Sequence, residues 1–127
     1  MPSDLRSRTR DFALRIIKLY SALPTRGAGN VLGLQLLRSG TSVGAHYREA
    51  YRAKSNADFI SKIEGALQEL DETTYWLELI ANANIISPKR LELLSNEAEQ
   101  LTAILVTVVR KVKTKSRSVK PVELKSE

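Results

Sequence analysis

The chain has 127 residues, 43% hydrophobic and 27% charged, a size that buries one sizeable core and makes a single domain. It has no cysteine, which excludes a disulfide framework, a thiolate zinc site and a cysteine nucleophile and suits a reducing cytoplasm. The net charge of +6 favours polyanionic partners, and no window approaches the roughly 18 apolar residues of a membrane span, so a soluble cytoplasmic protein with no membrane partner is expected.

The first helix is predicted over about residues 4–23 and is ended by Pro24. Phe12, Ile16, Leu19 and Leu23 recur at helical spacing, and Ala13, Ile17 and Tyr20 widen the stripe. The outer face carries Arg6, Arg8, Arg10, Arg15 and Lys18, which make either a solvated surface or one that meets phosphates. The segment LPTRGAGN then reads as a loop, with Asn30 as the cap of a second helix over 31–54. The middle of that helix is small, from Ser39 to Ala45. Glycine costs roughly 1 kcal/mol relative to alanine inside a helix, so Gly40 and Gly44 imply the close approach of a neighbour. Arg38, Ser42 and Glu49 share one face. With Glu69 on the following helix they are expected to form a structural polar network that sets helix register.

Ser55-Asn56-Ala57-Asp58 has the chemistry of a helix start, and the third helix is predicted over 56–83. It shows two adjacent seams. One runs through Phe59, Ile63, Ala66, Leu70, Thr73, Leu77 and Ile80; the other is Ile60, Leu67, Thr74 and Ala81. Two seams call for more than one packing partner, whether in a bundle core, an oligomer or both. Residues 55–86 carry a net charge of −5, whereas residues 1–26, 27–54 and 87–127 carry +4, +3 and +4. One acidic helix among basic ones either balances charge inside a bundle or sets one subunit's acidic face against the next subunit's basic face. Ser87-Pro88 opens a fourth helix over 88–112, with Leu91, Leu94, Ala98, Leu101, Leu105, Val108 and Val112 spaced alternately by three and four. Residues 113–127 lose this periodicity and read as a basic, flexible tail; the candidate phosphate contacts at this end are Arg110, Lys111, Lys113, Lys115 and Arg117. Four amphipathic helices with short connections predict an all-α fold, an antiparallel up-down-up-down four-helix bundle with left-handed, coiled-coil-like packing.

The chemistry for catalysis is thin. His46 is the only histidine, and His46-x-x-Glu49 reverses the Glu-x-x-His order of di-iron bundles, so no metal and no cofactor is expected. No nucleophile elbow accompanies His46, and Gly27–Gly29 lacks the Lys-Ser/Thr of a phosphate-binding loop. No catalytic residues are assigned, and a non-enzymatic role is expected.

Gln35-Leu36-Leu37-Arg38 leading into Ser42-Val43, Phe59-Ile60, Gly65-Ala66-Leu67-Gln68-Glu69-Leu70 and Asp71-Glu72-Thr73 before Tyr75-Trp76-Leu77 together carry a family likeness. Over most of residues 5–112 the chain resembles the four helix bundle protein family, also called the 23S rRNA intervening-sequence protein family. The resemblance implies ring-shaped homopentamers without established catalytic residues. It also implies kinship with the accessory variability protein of diversity-generating retroelements, a basic pentamer that works with reverse transcriptase and nucleic acid. The leading expectation is a homo-oligomer that binds RNA or DNA by its phosphates with low sequence specificity, because no DNA-reading motif and no aromatic interleaving of the basic residues is present. The alternative is an interaction scaffold that docks a protein partner such as a reverse transcriptase.

Overall fold

The computed structural model describes the backbone of residues 2–126 and the side chains of residues 5–115. It contains α1 (Pro2–Ser21), α2 (Gly27–Tyr51), α3 (Asn56–Asn82) and α4 (Pro88–Ser126), and no strand among the described residues. Each helix runs antiparallel to its neighbour in sequence. Gly33 packs on Tyr20 and Leu23 while Gly44 packs on Thr9, and Arg38 pairs with Glu72 while His46 lies over Gly65. Lys113 of α4 reaches Glu64 near the start of α3. The fold is the predicted four-helix bundle.

The core is aliphatic. Phe12 and Ile16 of α1, Leu36 and Val43 of α2, Ile63, Leu70 and Leu77 of α3, and Leu101 and Leu105 of α4 are all essentially inaccessible to water. Full burial of each large apolar side chain contributes about 1.5–3 kcal/mol relative to exposure. The α3 seam Ile63–Ala66–Leu70–Thr73–Leu77–Ile80 is buried throughout. The second seam, Ile60–Leu67–Thr74–Ala81, is only half-buried. The buried hydroxyls of Ser39 and Thr73 lie 2.8 Å apart and tie α2 to α3 inside the core.

Helix α2 departs from expectation at its start. It opens at Gly27 rather than at Val31, and Asn30 is not its cap; the capping position is Arg26, which makes no side-chain cap hydrogen bond. Two local facts favour the earlier start over the poor helix propensity of glycine. Gly27 enters the helix at φ +67°, a conformation that costs other residues about 1–2 kcal/mol. Gly29 lies so close to the Pro24 ring that a Cβ there would be 2.8 Å from Pro24 Cγ. The α4 backbone likewise continues to Ser126, past the boundary expected at residue 112. Loss of apolar periodicity ends burial there, and residues 113–120 hold no proline or glycine to end the helix itself.

The circuit of helices is uneven. Packing is dense between α1 and α2, between α2 and α3, and between α3 and α4, whereas α1 and α4 meet sparsely. Among the described residues no helix is long and apolar enough to cross a membrane.

Candidate nucleic-acid interface

The sparse α1–α4 seam opens into a groove of about 450 Å³ at the end of the bundle where α1 begins and α2 ends. Its walls include Leu5, Tyr47, Tyr51, Phe59, Val108 and Lys111, so all four helices contribute. Tyr47 and Tyr51 are one helical turn apart, with ring centroids separated by 6.1 Å at 47°. Tyr47 is buried at the floor, and Tyr51, 55% exposed, presents its ring to solvent. Burial, and secondarily the neighbouring Tyr51, raises the Tyr47 pKa above its ordinary value, so the phenol stays neutral well into alkaline conditions. A second depression of about 450 Å³, more polar than the first, continues past Tyr51 and Phe59 to Lys54 and Val112.

The basic residues singled out by sequence divide into three groups. Arg6, Arg110 and Lys111 are exposed at the groove end of the bundle; Lys111 lines the groove itself, whereas Arg6 follows the lining Leu5, and Arg110 precedes Lys111, so each points about 100° away around its helix. Lys115 lies one turn beyond Lys111, and Arg117 lies outside the described side chains. A second group is engaged within the fold. Arg8 makes a two-pronged pair with Glu97 at 2.7 and 3.1 Å, Arg10 leans on Asp11 at 3.4 Å, and Lys113 meets Glu64 at 3.3 Å. Arg15 and Lys18 form the third group, on the opposite stretch of the α1–α4 seam beside Arg90 and Leu93.

The expected polar network lies along the α2–α3 seam. Arg38 pairs with Glu69 at 3.3 Å and with Glu72, and His46 Nε2 is 3.7 Å from Glu69 Oε2. His46 Nδ1 is 3.8 Å from Glu49, which Lys62 also approaches at 3.8 Å. Glu49 therefore joins Arg38 only through His46 and Glu69. Ser42 turns its hydroxyl to its own helix and donates to the Arg38 carbonyl at 2.6 Å. Long, half-exposed ion pairs of this kind contribute little individually, about 0–1 kcal/mol each. Among the described residues, no group of three or more His, Asp or Glu side chains is placed to hold a metal ion.

Tyr51 and Lys54 are groove residues that the sequence did not single out, and Phe59, expected in the α3 core seam, is a third. Tyr47 and Tyr51 carry a local signal, since a spacing of four puts both rings on one face. Their meeting with Phe59 and Lys111 is tertiary and leaves no mark in linear order. Aromatic side chains are not interleaved with the basic ones along the chain, but the fold sets them side by side.

Comparison with known proteins places this architecture. The sequence pattern of the 23S rRNA-intervening sequence protein family matches residues 3–107. A crystal structure from Bacteroides thetaiotaomicron, described as a protein with unknown function from the S23 ribosomal protein family, is similar at 38% identity with a TM-score of 0.81. The alignment covers 86% of this chain and 97% of that one. No curated protein matches the chain. A shared helical framework and a pattern that extends over most of the sequence lead to one conclusion: this chain belongs to the 23S rRNA-intervening sequence protein family.

Proposed function

We infer that the protein is a non-enzymatic, homo-oligomeric bundle that binds single-stranded RNA or DNA at its basic end. The observation that carries this reading is the aromatic groove beside Lys111, with Arg6, Arg110 and Lys54 at the same end. Single-stranded nucleic acid is recognised by this combination: cations follow the phosphates, and exposed rings stack on bases whatever their identity. A duplex hides its bases and would engage the cations alone. Of the carboxylates near this end, Glu64 is held by Lys113 and Glu49 by Lys62 and His46, whereas Asp58, beside Phe59, forms no ion pair among the described residues. The family name, which ties its members to sequences that interrupt 23S rRNA, favours RNA. A ring of five is the stoichiometry that the family resemblance implies.

Fluorescence anisotropy with labelled single-stranded and duplex oligonucleotides, at low and moderate salt, tests the proposal. Single strands should bind more tightly than duplexes, with affinity falling steeply as salt rises. Tyr51→Ala should weaken single-strand binding by about 1–3 kcal/mol and leave duplex binding nearly unchanged. No binding to any oligonucleotide at low salt would overturn the reading. The apolar floor of the groove supports a second use, docking of a protein such as a reverse transcriptase. Partner capture that survives both nuclease and high salt would select that use instead.

A further inference from the structure

Two surfaces that share α4 carry opposite charge and no internal partners. On the α1–α4 seam, away from the aromatic groove, Arg15, Lys18 and Arg90 surround a depression of about 420 Å³. At its edge stands Leu93, 72% exposed, the most exposed large apolar side chain among the described residues. On the α3–α4 seam a depression of about 260 Å³ is lined by Leu67, Thr74 and Thr102, with Asp71 and Glu99 at its rim. Leu67 and Thr74 belong to the second α3 seam, which the bundle leaves half-open. Arg15, Lys18, Arg90, Asp71 and Glu99 form no ion pair among the described residues, whereas Arg8, Arg38, Lys62 and Lys113 each hold a carboxylate. Each depression is thus rimmed by charge of one sign that the fold leaves unneutralised.

We propose that the basic α1–α4 face of one subunit docks on the acidic α3–α4 face of the next, with Leu93 entering the Leu67–Thr74–Thr102 depression and Arg90 pairing with Asp71. The occupant of each face is a second copy of this chain, selected by charge and by the match of one projecting leucine to one small-walled hollow. Because the two faces differ, the contact is heterologous: each subunit offers one face to its predecessor and the other to its successor. Repetition then builds a ring where the rotation closes and an open filament where it does not, rather than stopping at a two-fold dimer. The inference rests on the oligomeric reading above and assigns its surfaces. It also removes Arg15 and Lys18 from the nucleic-acid set and leaves the aromatic end of each subunit free.

Charge reversal tests it, because Arg90 and Asp71 are both exposed and their substitution leaves the core intact. The mass of the full chain is measured by light scattering after gel filtration, with circular dichroism as the check on folding. Arg90→Glu and Asp71→Arg should each raise the concentration of half-assembly at least tenfold. The double variant, in which the charges are exchanged, should restore assembly. Leu93→Ser should weaken assembly without altering helical content. An oligomeric wild type whose mass none of these changes affects would overturn the assigned interface alone, as would single variants that the double variant fails to rescue. A wild type that stays monomeric at every concentration would overturn the oligomeric reading itself.

Discussion

A methyl group added at Gly40 would lie 2.7 Å from Ile16 Cγ1 and 2.9 Å from its Cγ2, atoms next to the stem of a fully buried, β-branched side chain that has nowhere to swing. At Gly44 the nearest atom is Thr9 Oγ1 at 3.3 Å, so a shift of a few tenths of an ångström suffices. Either alanine gains about 1 kcal/mol of helix propensity, against an overpacking cost of about 1–3 kcal/mol at the tighter site. Gly40→Ala should therefore destabilise the protein by up to about 2 kcal/mol, and Gly44→Ala should be neutral or stabilising by up to about 1 kcal/mol. Urea unfolding of the two variants checks this, and equal midpoints would refute the packing argument. Tyr47 gives a second expectation at the same scale. Its pKa is raised by burial and by Tyr51, so the folded state resists ionisation that the unfolded chain accepts at about pH 10. The stabilisation is complete below that pH and is lost as pH climbs toward the raised value. Wild type should lose stability above about pH 10 more steeply than Tyr47→Phe, and parallel pH profiles of the two urea midpoints would refute the assignment.

At the scale of the helix, the ends show what local sequence can specify. The Ser55 hydroxyl accepts from the Asp58 N–H at 3.0 Å, a cap that residue types narrow to Ser55 or Asn56. The far end of α3 closes differently. Asn84 takes φ +59°, its N–H donates to Ala81 O, and the Ile85 N–H reaches Ile80 O, a Schellman closure in which the αL residue is asparagine. Ser55→Ala and Asn84→Ala should each cost about 1 kcal/mol, the second through left-handed strain, while Asn84→Gly should hold or raise stability. Thermal melts of the three variants test the contrast, and a destabilising Asn84→Gly would refute it. The starts of α3 and α4 and most of the buried faces of α1, α3 and α4 were readable because each depends on periodicity or on an adjacent cap, although Ile17 of the α1 stripe is exposed and α4 buries Val109 more deeply than Val108 or Val112. The start of α2 was not, because it depends on the packing of Gly29 against Pro24, a contact between elements. Ser42 misled for a related reason: sharing a face with Arg38 and Glu49 does not stop a serine from turning back to its own helix.

At the scale of the whole molecule, the basic residues divide by location in a way linear order does not reveal. Arg6 and Arg15 sit on the same helix, yet one lies at the end of the bundle that holds the aromatic groove and the other beside Arg90. The charge excess of α1 and α4 was legible as a total; its partition between two surfaces depends on the antiparallel return of α4 along α1. This partition supports a measurement that separates the surfaces. Removing one cation from a phosphate lowers the slope of log affinity against log salt by about 0.7 for a single strand. Lys111→Ala and Arg6→Ala should each reduce that slope by roughly 0.7 and weaken binding uniformly across sequences, since phosphate contacts carry no base information. Arg15→Ala should leave the slope of the assembled protein unchanged while raising the concentration at which assembly is half complete. Lys113→Ala should have a smaller effect than Lys111→Ala, because Glu64 already holds part of its charge. A slope that falls equally for Arg15 and Lys111 would mean that phosphates travel the full length of the α1–α4 seam, and the division of this bundle into a binding end and an assembly face would be wrong.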